Sequence, residues 1–242
     1  MRRKYLIVFV SLLLSAIFTS YATAATKKQQ EAAEKWQELP YTGNFSYTPP
    51  TQKMPVAAGA TFVIVDLYQA EDFAPWLAWP QFINFNAALK RDLTKILEAK
   101  GLSVRGSFDS YELIPFQDKK ASDMYVIPVL EIWGTPEKDF AFTVNGKFTI
   151  VLKEIITGEL MWSKVIPLSG FNAQHLGAFR PKEKGNFNTI LDFLNTGNRN
   201  DVVKGIESQY PDLMATMAKL IDAEEMGIIK KQCQKIKLKK GY

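Results

Sequence analysis

Thr61-Phe62-Val63-Ile64-Val65-Asp66-Leu67-Tyr68, then the run from Phe82 to Lys100, then Gly101-Leu102-Ser103-Val104-Arg105-Gly106-Ser107-Phe108 together decide the fold class. The first segment is a dense β-branched and aromatic run, the composition of a buried strand. In the second, Phe82, Phe85, Leu89, Leu93, Ile96 and Leu97 recur at helical spacing and draw one apolar stripe. Gly101 ends that helix, because glycine adopts the left-handed conformation of a C-terminal cap. Leu102 to Phe108 reads as a second strand. Strand, helix and strand within about 45 residues form a βαβ unit, and such a crossover makes the two strands parallel.

Working outward toward the C-terminus, residues 109–121 are ambiguous, with a short helix as one reading. Met124 to Trp133 is a third strand, and Pro128 argues for an edge position or a bulge in part of it. Phe142 to Ile156 alternates with period two. Phe142, Val144, Phe148, Ile150 and Leu152 share one face with Gly146, and Thr143, Asn145, Lys147, Thr149 and Lys153 share the other. Thr157-Gly158 is a turn, and Leu160 to Leu168 returns as the other arm of a β-hairpin, with Leu160, Trp162, Ile166 and Leu168 on one face. Ser169 to Asn200 reads as a long loop, with a helical turn or two around Asn186–Leu194. A final helix is expected from Asp201 to Ile229, with Asp201 as its N-cap and a break before Pro211. The sum is an α/β domain: a mixed sheet of about five strands with a βαβ start, an antiparallel hairpin and covering helices.

Toward the N-terminus, residues 40–60 hold Pro40, Gly43, Pro49, Pro50, Pro55 and Gly59, as an extended linker or a surface arm would. Arg2-Arg3-Lys4, the apolar run Tyr5 to Phe18, and Ala22-Thr23-Ala24 form the three parts of a secretory signal peptide. The apolar run falls short of the ~20 residues that span a bilayer, which favours cleavage before Ala25 over anchoring. The expected organisation is a signal peptide over 1–24, a helix and linker arm over 25–60, one α/β domain over 61–229 and a Lys-rich tail over 230–242. No cysteine stands near the cleavage site, so a lipid anchor through an N-terminal cysteine is not expected. Cys233, the single cysteine, cannot form an intramolecular disulfide.

The leader carries three bases and no acid, so residues 25–242 hold 27 bases against 25 acids. Six of those bases are lysines from Lys230 onward, so residues 25–229 carry 21 bases and 25 acids. A mildly acidic body with a basic end lacks the electrostatic footprint of a nucleic-acid-binding domain. The composition, 47% hydrophobic with 16 Phe, 9 Tyr and 5 Trp, is that of a globular protein rather than a disordered one.

Catalytic constellations do not emerge. His175 is the single histidine and lies in the long loop; Cys233 lies among lysines; no serine sits in a GxSxG context. Two Cys and His residues cannot build a zinc site, and no Gly-rich phosphate cradle or dinucleotide fingerprint is present. No cofactor, no metal and no enzymatic activity are therefore expected. Asp66 and Glu131, which end or interrupt apolar strands, are the carboxylates placed where a site could form. Trp76 and Trp79, in the stretch Phe73 to Phe82, are the candidate ligand-binding residues: an indole stacks on sugar rings, fills a protein interface or covers the end of a core. The lysines from 230 onward either stay solvated or touch anionic headgroups, a peripheral membrane contact.

Several local strings also resemble a known family: Thr61 to Leu67, Leu97-Glu98-Ala99-Lys100-Gly101-Leu102, the hairpin Phe148 to Leu168 turning at Thr157-Gly158-Glu159, and Asn200-Asp201-Val202-Val203-Lys204. Between about Val63 and Leu220 the chain resembles the neuraminyllactose-binding hemagglutinins, exported adhesins of Helicobacter and its relatives. That resemblance implies an adhesin or surface binding protein in the cell envelope, with envelope proteins or host glycans as partners and the outer-membrane surface or the periplasm as location. Family members look like lipoproteins, whereas this chain lacks the lipid-attachment cysteine. Where the family has a basic Lys-Arg-Thr string, this chain has Thr135-Pro136-Glu137-Lys138-Asp139, which offers no arginine to a carboxylate such as that of sialic acid. No binding residue of the family carries over, and sialic-acid binding is not expected. The alternative is a periplasmic accessory or assembly factor for an envelope structure.

Overall fold

In the computed structural model, the Thr61 run forms β1 (Thr61–Val65), breaks at Asp66 and Leu67, and resumes as the two-residue β2 (Tyr68–Gln69). Helix α1 (Trp79–Ala99) starts three residues earlier than the apolar stripe marks it, and every residue of that stripe is buried. Gly101 closes α1 with φ 71°, while its N–H and that of Leu102 donate to the carbonyls of Glu98 and Leu97. Those two bonds satisfy carbonyls that the helix end would otherwise orphan. Strand β3 (Ser103–Phe108) follows and pairs with β1 in parallel, as the βαβ reading requires. The structure describes residues 41–50, 59–69, 77, 79–136, 142–173 and 196–241.

After β3 the chain forms the short α2 (Phe116–Ala121), then β4 (Met124–Pro136), β5 (Phe142–Glu154) and β6 (Leu160–Ala173). The sheet order is β3-β1-β4-β5-β6, with β2 also alongside β4. β1 and β2 are parallel to β4, and β4, β5 and β6 are successively antiparallel. The mixed α/β sheet is therefore as expected, and two details correct the sequence reading. Pro128 lies in an interior strand, not at an edge. β1 pairs with β4 as far as Val126 and β2 resumes at Val129, so the ladder on that side skips Pro128, which has no N–H to give it. Leu160 does not share the face of Trp162, because a register shift between Leu152 and Lys153 turns it outward.

The last helices differ more. Helix α3 (Thr196–Leu220) begins before Asp201 and runs through Pro211, and the break falls at Ile221–Asp222. Helix α4 (Ala223–Lys240) is capped by Asp222, whose Oδ1 accepts from the N–H of Glu225 at 2.8 Å. The Lys-rich residues 230–240 thus form the second half of a helix whose Met226, Ile229 and Cys233 are buried. One core joins α1, α3 and α4 to Phe62, Ile64, Val126, Leu130, Phe148, Ile150 and Leu152 on one face of the sheet. Phe45, from the N-terminal arm, enters this core edge-on to Phe85 and Tyr210. A smaller cluster on the opposite face packs Ile114, Phe108 and Tyr111 over Val63, Val65 and Tyr125. The β3-to-β4 connection supplies that cover, because β4 lies on the other side of β1 from β3 and the chain must cross the sheet to reach it.

The signal peptide, the expected helix over 26–39, Trp76, Glu137 to Asp139, His175 and the helical turn around Asn186–Leu194 lie outside the described residues.

Candidate functional site

Alternation fixes what the second face of the sheet presents. Leu130 and Ile132 of β4 point to the helices, so Val129, Glu131, Trp133 and Thr135 point away from them. On β5 the same face carries Thr143, Asn145, Lys147, Thr149 and Val151, and on β6 it carries Ser163, Val165 and Pro167. Paired residues give rows across the strands: Tyr68, Val129, Thr149 and Val165; then Glu131, Lys147 and Pro167; then Trp133 and Asn145. The apolar cover that Tyr111 and Ile114 provide reaches β1 and the start of β4, and the hydrophobic cluster on this face does not extend to these rows. Trp133 is 47% exposed and Tyr68 58%. One row lies between theirs, so they stand roughly 13 Å apart along the strands at about 3.3 Å per residue. Between them Lys147 Nζ pairs with Glu131 Oε2 at 2.8 Å. The side chain of Asn145 reaches Thr135 Oγ1 and the Thr143 carbonyl. Two exposed rings flank a charge-paired, amide- and hydroxyl-bearing strip, which can stack on flat apolar faces and hydrogen-bond to hydroxyls.

The edge beyond this face is partly closed. Gln209 of α3 accepts from the Ser169 N–H at 2.7 Å through Oε1 and donates to its carbonyl at 2.8 Å through Nε2. A side-chain amide thereby takes the place of a neighbouring strand, and Pro167 presents no N–H two residues earlier. Both features discourage pairing along this part of β6.

Two buried polar centres hold the frame. Asp92, on the buried side of α1 with its side chain sealed from solvent, accepts from the Tyr47 N–H at 3.0 Å and the Tyr210 hydroxyl at 3.1 Å, both through Oδ2. Arg91 binds both of its oxygens, at 2.8 and 2.7 Å, and also donates to the Phe45 carbonyl; Lys95 donates to Oδ1 at 3.1 Å. Burial acts to raise the Asp92 pKa, but the bonds from Arg91, Lys95 and Tyr210 outweigh it and hold the carboxyl below its ordinary value. The Tyr210 hydroxyl moves up, first through burial and then through the Asp92 charge beside it.

At the other centre Glu154 ends β5 fully buried. Its Oε2 accepts from the N–H groups of Ile156 and Thr157 and from the Thr157 hydroxyl, which shapes the hairpin turn. Its Oε1 and the hydroxyl of Ser122 are buried with no hydrogen-bond partner among the described residues. Lys237 of α4 donates to the carbonyls of Ser122 and Lys120. Burial pushes the nearby Cys233 thiol up to about 12, with the Glu154 and Asp123 charges adding to the effect.

Of the residues singled out from the sequence, Asp66 pairs with Lys90 and Glu131 with Lys147, so the two carboxylates sit in separate ion pairs. Trp79 is the first residue of α1. No cluster of His, Cys, Asp and Glu suited to a metal occurs among the described residues. Trp133, Tyr68 and Asp92 were not anticipated. Strand polarity does show Trp133 in line with Glu131, a hint that this side of an apolar strand is wet.

No family model matches the sequence, and no curated protein matches it. The fold is similar to that of a neuraminyllactose-binding hemagglutinin homolog from Helicobacter pylori, with a TM-score of 0.54 at 17% identity over 81% of this chain and 100% of that one. Protein XCC0632 from Xanthomonas campestris aligns with a TM-score of 0.37 at 7% identity over 76% of this chain and 100% of that chain. The PelC dodecamer of Paraburkholderia phytofirmans aligns with a TM-score of 0.32 at 13% identity over 68% and 94%. The relation to the hemagglutinin homolog is one of fold, at the level of an α/β protein with a mixed sheet.

Proposed function

We propose that this chain is an exported, non-enzymatic binding protein of the cell envelope, and that it meets its ligand on the open sheet face between Tyr68 and Trp133. The observation that carries this reading is the pair of exposed rings on one face, spaced by a strip of amide, hydroxyl and ion-paired side chains. Such a face suits a neutral glycan, because Lys147 is already matched by Glu131 and, among the described residues, these rows hold no other cation for an acidic sugar. The leader-like residues 1–24 and the fold shared with a hemagglutinin homolog support export and a role in surface binding. Trp76 and Trp79 remain part of the proposal as further stacking residues.

Protease shaving of intact cells tests the location. Loss of the mature band supports surface display. Full protection with release by osmotic shock would replace this reading with a periplasmic accessory factor. A glycan array tests the face: Trp133→Ala is expected to lower affinity about tenfold, on the order of 1 kcal/mol for a lost ring stack. Wild-type signal on the array with Trp133→Ala and Tyr68→Ala silent points to the open face, whereas loss only with Trp76→Ala or Trp79→Ala moves the site to the start of α1.

A further inference from the structure

We infer that the outward face of α4 docks on an anionic phospholipid surface. The helix sorts its lysines into two groups. Lys230 and Lys237 point back to the domain, where they donate to the carbonyls of Gly59, Ser122 and Lys120. On the opposite side, Ile228, Lys231, Lys235, Leu238 and Lys239 are all exposed. At about 100° per residue these five fall within an arc of roughly 100°, and Ile228 and Leu238 stand about 15 Å apart along the axis. Ile228 is 60% exposed and Leu238 76%, the latter a large aliphatic side chain left in water at the end of a helix that buries smaller ones. Lys231, Lys235 and Lys239 have no hydrogen bond or ion pair among the described residues, and no acid follows Glu225. Glu224 and Glu225 sit in the first turn, away from the lysines of the C-terminal half.

Apolar side chains at both ends of a stripe of unpaired lysines match an interface with acyl chains below and anionic headgroups around. A protein partner with an acidic groove would match the lysines alone and would leave Leu238 unexplained at the helix end. No described helix is long and apolar enough to cross a membrane, so the contact is one of lying on the surface. The reading is independent of the glycan face, which belongs to the other side of the sheet.

The test is cosedimentation of the full mature chain with vesicles of phosphatidylcholine alone and with vesicles containing about one third phosphatidylglycerol. Binding to the anionic vesicles at least about tenfold tighter, released as salt shortens the screening length, is the expected result. Lys231→Glu with Lys235→Glu and Lys239→Glu should abolish it, and Ile228→Ser with Leu238→Ser should weaken it at every salt concentration. Equal binding to both vesicles, binding to neither, or undiminished binding of the charge-reversed chain overturns the proposal. The lipid comparison uses the unaltered chain, so it decides even if a variant fails to fold.

Discussion

Asp92 shows how much of the molecule one side chain can hold. It joins the arm through Tyr47, α3 through Tyr210 and its own helix through Arg91 and Lys95. Asp92→Asn keeps the shape but removes the charge that these donors face. About 2 kcal/mol of stability should go; breaking a buried pair costs more elsewhere, but Arg91 and Lys95 are themselves half in solvent. The sign of the pH effect follows from the depressed carboxyl. Its stabilisation is complete above the unfolded value near 4 and disappears as pH falls through the lower folded value. Urea titrations should therefore show a constant gap between wild type and Asp92→Asn from about pH 5 to 7, closing below about pH 4. A gap that persists in acid would mean the amide disturbs packing rather than charge. Nothing in the sequence marks this residue. It stands one place before Leu93 on an otherwise legible stripe, and the two partners that tie it to other elements lie 45 and 118 positions away.

Elements meet at points that periodicity does not announce. A Cβ at Gly205 of α3 would stand 2.2 Å from the ring of Phe171 on β6, so glycine allows the helix and the edge strand to approach. In a free helix Gly→Ala gains about 1 kcal/mol. Here Gly205→Ala should instead lower the melting point, at a net loss of about 1–3 kcal/mol from overpacking. Adding Phe171→Leu should restore part of it, and the absence of coupling in that double-mutant cycle would remove the ring as the cause. The same strand depends on Gln209, and Gln209→Ala should leave the fold intact while exposing the Ser169 edge. Concentration-dependent light scattering is the readout, with unchanged scattering arguing that Pro167 alone protects the edge. The stripe of α1, the alternation of β5 and the turn at Thr157–Gly158 were legible because each is a local pattern. The helix break was sought at Pro211, a strong local signal that the surrounding packing overrides. The real boundary carried its own signature in Asp222-Ala223-Glu224-Glu225, a capping residue with an acid three places on.

For the whole molecule, the largest revision concerns its C-terminal end. Composition alone makes residues 230–242 a Lys-rich tail, solvated or touching anionic headgroups, since lysines outnumber apolar residues there and only tertiary contacts show which of them face inward. In the fold residues 230–240 belong to the helix that closes the end of the sheet where Glu154, Ser122 and Cys233 lie buried. The open face carrying Trp133 was hidden for the same kind of reason: an apolar strand does not say which of its sides is covered until the crossover from β3 to β4 is placed. The docking of α4 can be followed through Cys233. Burial seals its thiol from solvent and holds it up to about 12, so the reactive thiolate is both scarce and out of reach. Iodoacetamide at pH 8 should therefore label the native chain at least about a thousandfold more slowly than the urea-unfolded chain. Lys237→Ala removes the donor to the Ser122 and Lys120 carbonyls and should speed labelling, while Asp92→Asn, on a different set of contacts, should speed it only as far as it lowers global stability. If Lys237→Ala accelerates labelling without shifting the urea midpoint, α4 opens by itself ahead of the domain. If labelling and midpoint move together, α4 is part of one cooperative unit, and the basic face it presents is as rigid as the sheet beneath it.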